Sequence, residues 1–293
     1  MLWKGIETTI RNHDKHFELS TQRQIGGGCI NRCYTIESHM GKRYFTKLNS
    51  TSALLMFEAE QDGLREIAQT KTIRVPEPLC CGIAEGQSFI VMEYIPLTGS
   101  GQGSTPQLMG EQLAAMHRHT QSNFGWFRAN TIGSTPQINS ELANWVEFYR
   151  IRRLGYQLDL ATKNGFVGAL QEKGHQLLES IVGFFSNYQP CPALLHGDLW
   201  GGNQAADQNG NPVLFDPATY YGDREADIAM TELFGGFSSR FYDAYNHHWP
   251  LDAGYGVRKH LYNLYHLLNH ANLFGSSYAR QAEAVIDRLL SEV

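Results

Sequence analysis

Apolar and polar residues alternate on a period of two through much of the first 95 positions. Phe17–Ile25, Arg32–Glu37 and Lys42–Leu48 each follow this pattern. They are parted by the turn-forming stretches Gly26-Gly27-Gly28-Cys29-Ile30-Asn31 and Ser38-His39-Met40-Gly41, so they read as three consecutive antiparallel strands. The residues before them, 1–16, read as an amphipathic helix carrying charges throughout. Over Ala53–Gln69 the period becomes helical, with Leu54, Phe57, Gln61 and Leu64 on one face, and Val75, Pro76 and Pro78 stop it. Leu79–Ile95 then gives two more strands around the turn Ala84-Glu85-Gly86-Gln87. Residues 96–106, PLTGSGQGSTP, hold turn-forming residues without an apolar period and read as a linker.

Beyond the linker the helical period dominates. Met109, Gln112, Leu113 and Met116 trace one core stripe; Leu142, Trp145, Val146 and Tyr149 a second; Leu261, Leu264, Tyr265 and Leu268 a third. A short β region interrupts them, where Asn209-Gly210 is a hairpin signal between Gln204-Ala205-Ala206 and Val213-Leu214-Phe215. The pattern predicts an α+β protein of two lobes: residues 1–95, a small antiparallel-sheet lobe with one helix against it, and residues 96–293, a mostly helical lobe.

Composition narrows the class of partner. With 42% hydrophobic and 18% charged residues, the 293-residue chain has an ordinary globular composition. A formal net charge of −5 argues against a nucleic-acid partner, since phosphate backbones select basic faces. Five cysteines, an odd number with no CxxC or zinc-type spacing, suit reduced thiols and a cytoplasmic location. No run of about 18 apolar residues occurs, so no membrane span is expected.

The chemistry concentrates in "LLHGDLWGGNQ", Leu194–Gln204. An apolar strand runs into a tight polar loop, with Asp198 at the break. Asn203 follows five residues later and Asp216 eighteen residues after Asp198, and the hairpin between them returns the second carboxylate to the loop. A carboxylate with an amide oxygen suits Mg²⁺, which takes few protein ligands and completes its shell with phosphate oxygens. His196, Asp198, Asn203 and Asp216 match the spacing of the catalytic loop and metal-binding aspartate of protein-kinase-like folds. His, Gly, Asp and Asn at the offsets of His196, Gly197, Asp198 and Asn203 are expected together in about one chain in a thousand of average composition.

Other segments fall in the order such a site requires. Lys47 lies on the third strand, and the following helix carries Glu58 and Glu60. Glu60, four residues before Leu64 on the apolar side, is the better partner for the lysine. The glycines Gly26, Gly27 and Gly28 sit between strands, which excludes a Walker loop and a dinucleotide fingerprint and leaves a phosphate-covering hairpin. Phe89–Pro96 is placed as a hinge strand against which adenine would lie, with Met92 at the back, the backbone of Glu93 and Ile95 as hydrogen-bonding groups, and Tyr94 between them. Asp223 is placed to cap a helix with Glu225 in its first turn. Asp227 is read as holding the catalytic loop, as the aspartate here does in kinase-like folds, and Arg224 as pairing with a nearby carboxylate. His117, His119, His247 and His248 are assigned to surface or core roles.

Taken together, "GGGCIN", "FTK", "FEAEQDGL", "VMEYIP", "LLHGDLWGGN", "FDPATYYGDREADIAM" and "WVEFYRIRRLGYQLDLA" resemble the fructosamine kinase (ketosamine-3-kinase) family, a branch of the aminoglycoside-phosphotransferase-like kinases. The resemblance spans nearly the full chain. It implies a bilobal protein-kinase-like fold and ATP-dependent phosphorylation, with Mg²⁺, of the 3-hydroxyl of a ketoamine, free or on a protein lysine. It implies Asp198 as the catalytic base, Asn203 and Asp216 as metal ligands, His196 and Asp227 as structural support, and redox sensitivity at Cys29. Trp200, two residues past the base, offers a flat apolar surface for the substrate. A monomer or weak dimer is expected. Phosphorylation of an aminoglycoside, choline or another sugar remains open, as does a non-catalytic nucleotide-binding scaffold, although intact Lys47, Asp198, Asn203 and Asp216 count against the latter.

Overall fold

The computed structural model describes residues 1–26 and 30–293. Gly27, Gly28 and Cys29 lie outside the described residues, and the expectations placed on them go with them.

The N-terminal region is a five-stranded antiparallel sheet, ordered β1 (Leu19–Ile25), β2 (Arg32–Ser38), β3 (Arg43–Ser50), β5 (Gln87–Glu93) and β4 (Pro78–Ala84). Helix α1 (Leu2–Arg11) buries Ile6 and Ile10 against one face, together with Phe17, Ile36, Phe89 and Val91. Helix α2 (Leu54–Gln69) buries Phe57, Leu64 and Ile67 on the other face, with Ile90 and Met92. β5 therefore has an apolar partner on both sides, which explains why Phe89–Met92 is an unbroken apolar run. Burying each large apolar side chain of α2 is worth about 1.5–3 kcal/mol, against about 0.2–0.5 kcal/mol for an exposed i,i+3 pair such as Asp62–Arg65. Tertiary burial holds this helix.

The segment expected to be only a linker is partly a strand. β6 (Leu97–Thr98) pairs with β10 (Gln204–Asp207), which pairs in turn with β11 (Pro212–Leu214). This pairing joins residues about a hundred positions apart, so a local pattern cannot report it. Helix α3 (Thr105–His117) then packs against α8 (Ser239–His248). β7 (Asn130–Ile132) and β8 (Thr135–Gln137) form a small hairpin. α4 (Trp145–Phe148) continues through a π-helical stretch, Tyr149–Gly155, into α5 (Tyr156–Lys163), and α6 (Ala169–Ser180) follows. β9 (Ala193–Leu195) pairs with β12 (Tyr220–Gly222). Helices α7 (Glu225–Leu233), α9 (Tyr255–Phe274) and α10 (Ser276–Leu290) complete the chain.

One core runs across the boundary expected near residue 95. Phe57, Leu64 and Ile67 of α2 pack in the same cluster as Met109, Leu113, Leu194, Leu199 and Leu214. Arg74 adds a polar tie, donating to Glu93 at 2.7 Å and to Asp207 at 2.8 Å. Between α7 and α9, the buried Glu225 and Arg258 form a bidentate ion pair at 2.8 and 2.9 Å.

Candidate active site

Pairing of β9 with β12 sets the frame of the site, because the loops leaving and approaching these strands lie side by side. His196–Asn203 leaves β9, and Phe215–Thr219 joins β11 to β12. The two loops are tied by Ala218 N to His196 O at 2.8 Å and Phe215 N to Asn203 O at 3.1 Å. The His196 imidazole donates through Nε2 to Phe215 O at 3.0 Å and accepts from the amide of Asp198 at Nδ1 at 3.3 Å. Both nitrogens are engaged, and burial lowers this histidine's pKa.

Asp198 follows Gly197, whose φ is +83°. A Cβ at Gly197 would lie 2.8 Å from the carbonyl carbon of Ala218, so both the backbone twist and the close approach call for glycine. The Asp198 carboxylate accepts from Asn203 Nδ2 at 3.0 Å. Burial, and then the negative charge of Asp216, push its carboxyl up to about 7, while the Asn203 hydrogen bond pulls the other way.

Asp227 stands beneath this loop, 1% exposed, and accepts the amides of His196 and Gly197 at 2.7 and 2.8 Å. His117 lies against it, Nε2 to Oδ2 at 3.1 Å. Burial favours the neutral ring, so Nε2 carries the proton toward the carboxylate and Nδ1 accepts from Tyr245 Oη at 2.8 Å. Burial opposes the charge on Asp227, yet His117 and the loop amides hold its pKa below the ordinary carboxylate value. His117 was grouped above with ordinary core or surface histidines. The signal that marks it is its place on the stripe Met109, Leu113, Met116, all buried.

Lys47 points to the α2 side of the sheet, on the same face as Phe45, with Ile90 and Met92 across the strand. Its Nζ meets Glu60 at 2.6 Å and Asp216 at 2.5 Å. Burial works against its charge, but the carboxylates of Asp216 and Glu60 outweigh it and raise the ammonium's pKa. Glu58 pairs instead with Arg128, at 3.2 Å. Asp216 has φ +58° and a half-exposed side chain.

The remaining contacts of the site join residues far apart in sequence. Gln137 Nε2 donates to Ala218 O at 3.1 Å and Asn130 Nδ2 to Thr219 O at 2.8 Å, so the β7–β8 hairpin holds the Asp216 loop from behind. Gly63 of α2 abuts Thr219 and Pro217, joining the helix that carries Glu60 to the same loop. Asp223 accepts Glu225 N at 3.0 Å, a capping contact, and also the hydroxyls of Tyr188 and Tyr262 at 2.9 and 2.5 Å. The expectation for Arg224 is corrected. Among the described residues it pairs with no carboxylate; it stacks on Trp249, 4.3 Å from the ring centroid, and donates to Tyr245 Oη and to the carbonyls of Trp249 and Pro250.

On the hinge side, Met92 is buried in the shared core and Ile95 is 7% exposed. The Glu93 side chain is held by Arg74, and Arg43 lies over the Tyr94 ring at 4.4 Å. Gly26, the last described residue before 27–29, has no atom of another described residue within 4 Å of where a Cβ would stand, its chain neighbours aside. The Trp200 indole folds over Gly202, where a Cβ would overlap it, and remains 39% exposed.

The donor chemistry fits a hard divalent cation. Asn203 donates Nδ2 to Asp198, so its amide oxygen is the atom it could offer a cation, with the Asp216 carboxylate as the second donor. Among the described residues no group of three His, Cys, Asp or Glu is arranged to hold a metal. A pair of oxygen donors suits an ion that keeps waters and takes phosphate oxygens. No helix of the described residues is long and apolar enough to cross a membrane.

Comparison with known proteins bears on the whole chain. A protein assigned as a ketoamine kinase in Synechocystis is 46% identical over 98% of this chain and 97% of its own. The chloroplastic protein-ribulosamine 3-kinase of Arabidopsis thaliana is 44% identical over 97% of this chain and 87% of its own. A crystal structure assigned as a fructosamine-3-kinase from Haemophilus somnus superposes with a TM-score of 0.90 at 28% identity, covering 99% and 98% of the two chains. Aminoglycoside phosphotransferase APH(4)-Ia, at 17% identity and a TM-score of 0.63, shares the fold. The family model for fructosamine kinase matches residues 2–292. The chain belongs to the fructosamine kinase family and is an ATP-dependent phosphotransferase of the protein-kinase-like α+β fold.

Proposed function

We propose that this enzyme transfers the γ-phosphoryl group of ATP to the 3-hydroxyl of a ketoamine, the sugar adduct of an amine or a protein lysine, and so leads to removal of the adduct. The names of the full-length relatives support the substrate class. The observation that carries the chemistry is the Asp198 carboxylate, pinned by Asn203, raised to about 7 and held over Asp227.

A sugar hydroxyl is a poor nucleophile until a base takes its proton as the new O–P bond forms. Asp198 accepts that proton. The bond between the γ-phosphorus and the bridging oxygen breaks, and ADP departs. Lys47, fixed by Glu60, faces the phosphates with a permanent positive charge, and residues 93–95 present backbone groups to the adenine. Asn203 and Asp216 would hold Mg²⁺, which when bound neutralises phosphate charge. Positioning supplies most of the rest of the rate. Trp200, two residues past the base and 39% exposed, offers its indole to the carbon skeleton of the acceptor. In this reading residues 1–95 form the nucleotide lobe and 96–293 the acceptor lobe, and a single chain holds the complete site.

The test is Asp198→Asn. ATP affinity is retained and ketoamine phosphorylation falls by several orders of magnitude; turnover near that of the wild type removes Asp198 from the role of base.

A further inference from the structure

Four phenylalanines and tryptophans are exposed among the described residues: Phe127, Trp200, Phe234 and Phe274. Phe127 packs on its neighbour Trp126. The other three gather at one end of the catalytic loop. Gly201, next to Trp200, abuts Gly235 and Gly236, a Cβ there falling 2.9 Å from Gly235 O, which places Phe234 beside the loop at the end of α7. The Phe234 ring lies 5.0 Å from that of His270, and His270 lies 5.4 Å from Phe274 at the end of α9.

The same last turn of α9 reaches the opposite rim. Leu273 and Ile30 both approach Gly133, at 3.2 and 3.7 Å from a Cβ placed there, and Ile30 borders the glycine-rich stretch. The end of α9 thus stands between Ile30, next to the glycine-rich stretch, and Phe234, next to the catalytic loop.

The shelf's segments 233–239 and 270–279 contain no Lys, Arg, Asp or Glu, and the charges at their ends, Glu232, Arg240 and Arg280, are of both signs, whereas an anionic membrane surface selects basic residues around an apolar face. Phe274 is 62% and Phe234 41% exposed, and exposed aromatic patches of this kind mark interaction sites. The shelf borders the catalytic loop where Gly201 meets Gly235 and Gly236, so a large body that presents an acceptor to Asp198 meets it.

We propose that the Phe234–Phe274 shelf is a docking surface for the polypeptide that carries the adduct-bearing lysine, and that it favours lysines with an apolar side chain close by in the sequence. This rests on the ketoamine reading and adds to it a preference among protein-borne adducts for those with an apolar neighbour.

Three ribulosyl-lysine substrates test it: the Nα-acetylated amino acid, a glycine-flanked peptide and a phenylalanine-flanked peptide. For the wild type, kcat/KM on the phenylalanine-flanked peptide exceeds that on the glycine-flanked one about tenfold, the size of one good aromatic anchor. In the double variant Phe234→Ser, Phe274→Ser the two peptides become equal, while kinetics on the acetylated amino acid stay at the wild-type level. A wild type that treats the peptides alike overturns the proposal, as does a preference that survives in the double variant. So does shelf-dependent binding to phosphatidylserine vesicles or shelf-dependent dimerisation without a peptide preference. Failure on all three substrates strikes the ketoamine reading itself; turnover of the acetylated amino acid without peptide discrimination strikes only the docking surface.

Discussion

Replacing Gly197 by alanine asks whether Asp198 stands where it does because of the backbone just before it. At φ +83° an L-residue is disfavoured by about 1–2 kcal/mol. The new Cβ would also lie 2.8 Å from the carbonyl carbon of Ala218, where carbon atoms ordinarily sit ~3.5–4.0 Å apart. The two loops must therefore part by about 1 Å, and overpacking of this kind adds roughly 1–3 kcal/mol. Summed, the substitution destabilises by about 2–5 kcal/mol, which for a chain of this size lowers Tm by ~4–10 °C at roughly 2 °C per kcal/mol. The separation stretches the 2.8 Å bond from Ala218 N to His196 O and carries Asp198 away from Asp216. A displacement near 1 Å at a reacting group costs about a hundredfold in rate. Steady-state kinetics on ribulosyl-lysine, with ATP and acceptor varied separately, gives the decisive split: kcat falls about a hundredfold and KM for ATP stays within a few-fold, because Lys47 and the hinge lie on other elements. Thermal unfolding gives the accompanying Tm. A variant with wild-type kcat and unchanged Tm would refute the claim that this glycine sets the position of the base.

Three further outcomes follow from the same geometry. His117→Phe removes the Nε2 donor from Asp227 and lowers kcat about tenfold by loosening the loop, at the cost of one hydrogen bond to a charged group; His117→Gln, which keeps a donor, recovers part of it, and equal kcat in all three proteins contradicts the positioning role. Lys47→Met leaves Glu60 buried without its cation, so it destabilises by about 3–5 kcal/mol in chemical denaturation and raises KM for ATP at least tenfold; unchanged ATP affinity would contradict the placement of Lys47. His266 is 5% exposed and burial lowers its pKa to about 3. With the folded value below the unfolded one, its contribution to stability is complete above pH ~6.5 and is lost as pH falls, at up to about 1.4 kcal/mol per pH unit. His266→Gln should therefore lose less stability than the wild type between pH 6.5 and 5, by about 2 kcal/mol, and parallel denaturation curves at the two pH values contradict this.

What could be read in advance is what local spacing encodes. The sheet, α2 and the Asn209-Gly210 hairpin announce themselves within a few residues, and the intervals among His196, Asp198, Asn203 and Asp216 are short. Helical phase was enough to separate Glu60, which meets Lys47, from Glu58, which meets Arg128. Partners remote in sequence were not visible. The pairing of Leu97–Thr98 with β10 depends on where a distant hairpin comes to rest. Asp223 and Glu225 resembled a cap and a first-turn acid, but Tyr188, Tyr262 and Arg258, tens of residues away, make them a buried network. The charge of Arg224 is visible in the sequence and suggests an ion pair, whereas the Trp249 face and two carbonyls that hold it are not visible there. Residue spacing shows a helix running into Tyr149 but not the π-helical widening over Tyr149–Gly155 that lays Arg153 over the Tyr220 ring at 4.0 Å.

The central claim is phosphoryl transfer to one particular hydroxyl by the base Asp198. It is tested most directly by incubating the protein with ATP, Mg²⁺ and Nα-acetyl-ribulosyl-lysine and locating the phosphate in the product by phosphorus–proton correlation NMR. The account predicts a single product in which phosphorus couples to the proton on carbon 3, absent when Asp198→Asn replaces the wild type. Phosphate on a different hydroxyl, or the same product at the same rate from Asp198→Asn, would contradict it.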